Sequence, residues 1–261
     1  LSEDGCSVVI ADIDANAGTA LASELGGERG RALFVPCDVS DRLSVSNLLA
    51  ETRSAFDRLD ILVNNAGVVA RGDILELSEA DFDRVIGVNL RGAFLVARAC
   101  AKQMVEQIEE SGERADDARR RYAIINMSSV NGIMAIPDQL AYCTSKGALN
   151  QLTKSMALAL AKYGIRVNAL SPTAATRMTE GLLPEEALKL MTVESVSAGL
   201  VYLVSDEAPS RLVLCAGAGG YAATRVYETD GIYLPPDQQT PEHVAANIDA
   251  IINPDGQQMF E

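Results

Sequence analysis

Leu59-Asp60-Ile61-Leu62-Val63-Asn64-Asn65-Ala66-Gly67 passes within a few residues from an apolar run to a polar loop that ends in glycine. A short apolar run bounded by turn signals reads as a strand buried on both faces. The same pattern recurs at Ser7-Val8-Val9-Ile10-Ala11, Ala32-Leu33-Phe34-Val35, Ile124-Ile125-Asn126-Met127 and Ile165-Arg166-Val167-Asn168. Between these runs lie helical stretches: Ala15 to Leu25, closed by Gly26-Gly27, then Arg42 to Phe56, Ser78 to Gln107, and Gln139 to Lys162. Strands alternating with helices of this length predict parallel crossovers and helices on both faces of one sheet, an α/β fold.

The chain has 261 residues, 48% hydrophobic and 22% charged, enough to bury a sizeable core. Asp and Glu outnumber Lys and Arg by 36 to 22, and a net charge of -14 repels a phosphate backbone, so nucleic-acid binding is not expected. No apolar run reaches the roughly 20 residues of a membrane span, and no signal-peptide pattern opens the chain. The cysteines (Cys6, Cys37, Cys100, Cys143, Cys215) are scattered, and His243 is the single histidine, so no metal site is expected. These features predict a reduced, cytoplasmic globular protein.

Two segments break the alternation. Glu109 to Arg121, including Arg119-Arg120-Arg121, reads as a solvated surface insertion. After Gly220 comes a tail in which Thr240-Pro241-Glu242 looks like an N-cap with proline at the first helical position, opening a helix over Val244 to Ile252. The expected organisation is one domain over 1–220 and an extension over 221–261, packed on that domain.

Three polar pieces follow three of the expected strands: Asn64-Asn65-Ala66-Gly67, Ser128-Ser129 and Ser171-Pro172-Thr173. Ligands of open parallel sheets bind at that edge. The helix after Ser129 carries Tyr142-Cys143-Thr144-Ser145-Lys146, and residues four apart share a helical face. A free phenol has a pKa near 10, and a nearby lysine cation is expected to lower it into a useful acid/base range.

The ordered set of Asn-Asn-Ala-Gly, Ser129 thirteen residues before Tyr142, and Tyr-x-x-x-Lys resembles the short-chain dehydrogenase/reductase family from Ser7 to about Gly217. That resemblance implies a Rossmann-like, doubly wound parallel sheet and hydride transfer between a nicotinamide cofactor and a carbonyl carbon. It implies that Tyr142 is the general acid/base, that Lys146 tunes it and holds the nicotinamide ribose, and that Ser129 binds the substrate carbonyl. It also implies that Asn89, in Val88-Asn89-Leu90-Arg91-Gly92, supports a proton relay; the plainer reading of Asn89 is a polar residue satisfying helix backbone. Asn65, Ala66, Gly67, Pro172 and Thr173 join the cofactor contacts.

Asp12 ends Val8-Val9-Ile10-Ala11-Asp12, where an acid accepts hydrogen bonds from the adenosine ribose hydroxyls and repels a 2'-phosphate. NAD is therefore the expected cofactor, and Asp14 inherits the role if the register shifts. Asp38-Val39 matches the family's adenine contact, or else is an ordinary N-cap region. The family's glycine turn precedes the acid by about 20 positions, and there is no room for it before residue 12. The expectation is an amino-terminally truncated chain, lacking the first strand and glycine-rich turn, with a gap of roughly 10 Å in its sheet. Such a chain is expected to bind NAD poorly and to be inactive alone. Gly217-Ala218-Gly219-Gly220-Tyr221-Ala222 fits a G-x-G-x-x-A phosphate turn, but no helix is evident after it, since Arg225-Val226-Tyr227 reads as strand.

Ser171 to Thr179, Leu182-Leu183-Pro184-Glu185, Gly217-Ala218-Gly219 and the tail helix are similar to the (3R)-hydroxyacyl-CoA dehydrogenase unit of peroxisomal multifunctional enzyme type 2 and its bacterial relatives. A 3-hydroxyacyl thioester is the implied substrate, possible only with a local basic patch for acyl-CoA, for which Arg177 and Arg119 to Arg121 are the candidates. A 3-oxoacyl-carrier-protein reductase, a generic alcohol dehydrogenase and a non-catalytic fragment are the alternatives. A homodimer or homotetramer, joined through the helices holding Asn89 and Tyr142, is implied by the family.

Overall fold

The computed structural model describes residues 1–26, 31–176 and 185–260. They form two compact units, Leu1–Ala222 and Ala223–Glu261. The first opens with β1 (Val8–Asp12), α1 (Ala15–Gly26), β2 (Ala32–Pro36), α2 (Arg42–Phe56) and β3 (Ile61–Asn64). Next come α3 (Glu79–Ile86), a π-helical segment (Gly87–Gly92), α4 (Ala93–Ser111), α5 (Ala115–Ala118) and β4 (Ala123–Met127). It closes with α6 (Leu140–Leu160), β5 (Arg166–Thr173), α7 (Glu185–Leu190), α8 (Val193–Val204), β6 (Val213–Gly217) and β7 (Gly220–Ala223). This is the expected Rossmann-like α/β fold.

β4 is the hydrophobic centre. Ala123, Ile124, Ile125 and Asn126 are fully buried, as a parallel strand covered on both faces must be. Ile124 and Val167 pack with Ala97, Met104 and Ala157 of α4 and α6. Ile125 and Leu170 face the other way, toward Val196 and Leu203 of α8. Asn126 can sit at this depth because its amide donates to Thr153 Oγ1 (2.9 Å) and its oxygen accepts from Asn64 (2.9 Å).

The sheet is in two pieces. β1 pairs with β2 in parallel, while β3, β4, β5, β6 and β7 form a second sheet in that order. The interruption expected from the sequence is present, and β1 and β3 have not re-paired across it. Val35, Val45, Leu48, Val96 and Cys100 form a core cluster that contacts Val9 and Leu33 as well as Leu59 and Leu62. Side chains of α2 and α4 thus hold the two pieces in one unit without a backbone ladder between them.

The charged segment 109–121 is more than a solvated insertion. Ala118 and Tyr122 are fully buried, Arg121 pairs with Glu113 (3.2 Å), and the Arg119 carbonyl accepts from Arg166 (2.7 Å). The segment also enters β4 at its N-terminal end, whereas Ser128 and Ser129 follow the C-terminal end. A strand of this length separates the two by about 16 Å. The Arg119 to Arg121 run therefore lies at the end of β4 opposite to Ser128 and Ser129. Gly27, Arg177 and Leu182 to Pro184, also singled out in the sequence, lie outside the described residues.

Gly217 to Ala222 is not a phosphate turn. β6 ends at Gly217 and the chain turns through Ala218 (φ 51°) and Gly219 (φ 76°) directly into β7, with no helix following. The second unit contains an antiparallel pair, β8 (Val226–Glu228) with β9 (Gln258–Phe260), and the short helices α9 (Pro241–Ala246) and α10 (Ile248–Ile251). Thr240 caps α9 as expected, accepting from the His243 N–H, but the helix stops at Asn247 and restarts as α10. Among the described residues no helix is long and apolar enough to cross a membrane.

Candidate active site

Parallel pairing in register (Asn64 with Asn126, Asn126 with Ala169) brings the C-terminal ends of β3, β4 and β5 to one edge. Ser128 and Ser129 leave β4 there, and the Ser128 N–H donates to the Leu170 carbonyl (2.7 Å). Ser129 Oγ accepts from the Asn131 N–H (3.2 Å), capping a 3-10 turn, Val130–Gly132. That turn lies directly against α6.

The close approach needs Gly132. A Cβ there would lie 2.7 Å from the Lys146 carbonyl carbon and 2.8 Å from its oxygen, backbone atoms that cannot swing aside. Nothing in the sequence distinguishes this glycine except its place three residues after Ser129. Gly132→Ala is expected to push the turn off α6, lowering Tm by roughly 3–10 °C in a thermal melt. A melt unchanged within 1 °C or so would show that the turn can yield.

On α6, Tyr142, Ser145 and Lys146 are all buried. Lys146 Nζ lies 5.6 Å from the centre of the Tyr142 ring, and the phenol hydrogen-bonds the Ser129 side chain. The expected trio therefore converges. One electrostatic expectation does not hold: the Tyr142 pKa is raised, chiefly by burial, with the Ser129 hydrogen bond pulling the other way and Cys143 adding to the rise. Lys146 does not offset this, because burial also disfavours its own charge and brings its pKa from 10.5 down to about 8. Its ammonium is instead turned to the Met127 carbonyl, at 2.6 Å.

Asn89 sits in the π-helical segment and is 1% exposed. π segments place an extra residue per turn and cluster at functional sites. The Asn89 oxygen accepts from the Val68 N–H (2.8 Å), and its amide donates to the Val68 carbonyl (2.8 Å) and to Ser145 Oγ (3.1 Å). Asn89 is thus a clamp between the β3 loop and α6. The helical period of Ser78 to Gln107 does not betray the π segment, and the partnership with Ser145 carries no sequence signal.

The clamped loop presents Asn65, Ala66 and Gly67, all exposed. A Cβ on Gly67 would stand 3.4 Å from Asn89 Oδ1 and 3.6 Å from Lys146 Nζ, so the glycine leaves a shallow seat above the lysine. Pro172 and Thr173 end β5 at the same edge. Asp12 ends β1 with an exposed carboxylate, one oxygen of which accepts from the Asp14 N–H (2.9 Å). Asp14 is committed elsewhere: it accepts from Asn16 and Ala17 N–H, capping α1. Asp12 is therefore the acid left available for a ligand. Asp38 accepts from the N–H and hydroxyl of Ser40, the N-cap-like role weighed above, and Val39 packs close to Gly92.

Asp12 offers an exposed carboxylate to which a ribose diol could donate, and Lys146 an ammonium that could meet a second ribose. The N-terminus of α1 offers no phosphate seat, since the Asp14 carboxylate already occupies it.

The family model for short chain dehydrogenases matches residues 1–187, and the chain belongs to that family. It is 34% identical over 251 residues to tropinone reductase-like 1 of Erythroxylum coca, covering 88% of this chain and 86% of the relative. It is 33% identical to cyclopentanol dehydrogenase of Comamonas testosteroni, over 85% of this chain and 90% of the relative. Among solved structures it resembles a gluconate 5-dehydrogenase from Burkholderia cenocepacia in complex with NADP and tartrate: TM-score 0.72, 29% identity, 84% of this chain and 87% of that one. These likenesses establish the family and do not reach the narrower resemblance to a hydroxyacyl-CoA dehydrogenase unit.

Proposed function

We propose that the chain is an NAD-dependent oxidoreductase interconverting a secondary alcohol and a ketone. The observation that carries this reading is the buried convergence of Ser129, Tyr142 and Lys146 beneath the Gly67 loop. When bound, NAD(H) supplies or accepts the hydride. Ser129 donates a hydrogen bond to the substrate oxygen and aligns it with the phenol. Tyr142, kept protonated at neutral pH by burial, delivers its proton to that oxygen in reduction and recovers it in oxidation. Lys146 holds the ribose hydroxyls of the cofactor and, where charged, favours the phenolate. Asn89 is the positioning residue that fixes the loop carrying Gly67.

Asp12 supports NAD over NADP, because its exposed carboxylate suits a ribose diol and repels a phosphate. The names of the two relatives support a cyclic alcohol or ketone. A 3-hydroxyacyl thioester is the second reading; it rests on the likeness of the segment after Thr173, and no basic patch has been located for it among the described residues. A 3-oxoacyl-carrier-protein reductase and a non-catalytic fragment are weaker: the former commonly uses NADPH, which Asp12 opposes, and the latter does not account for the assembled trio.

The test is NADH- and NADPH-linked reduction of cyclopentanone and of an acetoacetyl thioester. Faster turnover of cyclopentanone with NADH supports the proposal. Preference for NADPH removes the argument from Asp12, and preference for the thioester favours the second reading.

We also propose a homodimer or homotetramer joined through α4 and α6. Phe94 is 44% exposed there, in a groove of about 480 Å³ that Val105, Met156 and Tyr163 also line. Sedimentation velocity is expected to show a dimer or larger; a monomer at micromolar concentration would refute it.

A further inference from the structure

A hydroxyl has one hydrogen to donate and two lone pairs with which to accept. Ser129 Oγ accepts from the Asn131 N–H (3.2 Å), which leaves its O–H for the Tyr142 oxygen or a substrate oxygen. Where that O–H can point therefore depends on where the Asn131 backbone stands. Asn131 lies in the turn Val130–Gly132, and after it Ile133, Met134 and Ala135 are exposed. Gly132 presses the turn against α6. A second tie crosses the loop: Asn131 Nδ2 donates to Gln139 Oε1 (3.0 Å), eight residues along.

Gln139 is a fixed point. It is 7% exposed, and its carbonyl accepts from the Cys143 N–H (2.9 Å) in the first turn of α6. Its backbone also forms a parallel bridge with Gly72. Beside it the Asp138 carbonyl accepts from the Gly72 N–H (2.9 Å), and the Asp138 carboxylate pairs with Arg71 (2.6 Å). Gly72 continues the loop that presents Gly67. Its φ is 146°, and a Cβ there would lie 3.0 Å from the Leu77 Cα, so the chain has no room to slide. Two loops of the site thus meet at one glutamine, three residues before Tyr142.

We propose that Gln139 is a positioning residue: acting through Asn131, it aims the Ser129 hydroxyl at the point where the Tyr142 oxygen and a substrate carbonyl meet. This rests on the reaction proposed above. A pair of amides that only satisfied each other would cost stability when removed and leave Tyr142 untouched. A pair that aims Ser129 also governs the acidity of the phenol, because the Ser129 hydrogen bond favours the phenolate while burial opposes it. The titratable groups beside the ring on its own helix are Cys143 and Lys146, and the carboxylate next to Gln139, that of Asp138, is paired with Arg71. None of these is altered by uncharged substitutions at 131 and 139.

The test uses the full chain with Gln139→Met, which keeps the side-chain length and removes the acceptor, and with Asn131→Leu, which removes the donor. Tyrosines are labelled with carbon-13 at Cζ, and Tyr142→Phe assigns the Tyr142 resonance. In both variants that resonance is expected to titrate at higher pH than in the parent, while the other tyrosines keep their midpoints. This readout needs no turnover. The kcat for NADH-linked reduction of cyclopentanone at pH 7 is expected to fall about 10- to 100-fold, with KM within about twofold. The double variant is expected to be no slower than the slower single one, since both break the same bond. Three results overturn the proposal: a Tyr142 midpoint equal to the parent's in both folded variants, single losses that multiply in the double variant, or loss of the fold in both, which would make the pair a structural requirement. Turnover that survives Tyr142→Phe would instead remove the reaction itself, whereas turnover lost in Tyr142→Phe and intact in Gln139→Met removes only the positioning role.

Discussion

Replacing Tyr142 by phenylalanine is expected to reduce NADH-linked ketone turnover by ~1,000-fold. The change removes one oxygen from a buried side chain and leaves the ring in place, so far-UV circular dichroism is expected to be unaltered. The hydroxyl is the only group removed, and it is the one that hydrogen-bonds Ser129 and lies on the face shared with Lys146. Because burial raises the Tyr142 pKa, the unsubstituted protein is expected to reduce ketones well at neutral pH and to oxidise alcohols faster as pH rises. The phenylalanine variant is expected to lose that alkaline rise. A variant within tenfold of the parent would assign the proton to another donor and remove the proposed reaction mechanism.

Lys146→Met is expected to have the opposite signs for activity and stability. The lysine is 4% exposed, and its pKa falls from 10.5 to about 8 on burial. Below pH 8 both folded and unfolded chains are protonated there, and the folded chain bears the whole cost of the buried charge. Between pH 8 and 10.5 the folded chain sheds the proton first, so the cost diminishes; above 10.5 neither state is charged. Relative to the methionine variant, the parent is therefore expected to gain about 3 kcal/mol of stability as pH rises from 8 to 10.5. Paired urea melts at pH 7 and 10.5 measure it directly. A stability difference independent of pH would show that the Met127 carbonyl at 2.6 Å satisfies the ammonium fully. Turnover by the methionine variant is expected to be lost at every pH, so gain of stability and loss of function would coincide in one residue.

Most strands were legible because a parallel strand covered on both faces must be apolar throughout, and Ile124-Ile125 or Val8-Val9-Ile10 permit little else. Tyr142 and Lys146 were legible for a similar reason, since helical spacing alone puts them on one face. The break between β1 and β3 could be anticipated by counting positions before Asp12. Its persistence could not, because it depends on Val45, Leu48, Val96 and Cys100 bridging the two sheets from below.

Local pattern thus settled which segments are strands and helices, where the polar loops fall and which side chains share a turn, all of which depend on neighbours within a few residues. Tertiary structure alone decided that Asn89 clamps Val68 to Ser145, that Gly132 is pressed against the Lys146 backbone, and that burial outweighs the lysine in setting the acidity of Tyr142. Each of these depends on groups brought together from distant parts of the chain, and on the depth at which water is excluded around them. Spacing along a chain encodes neither.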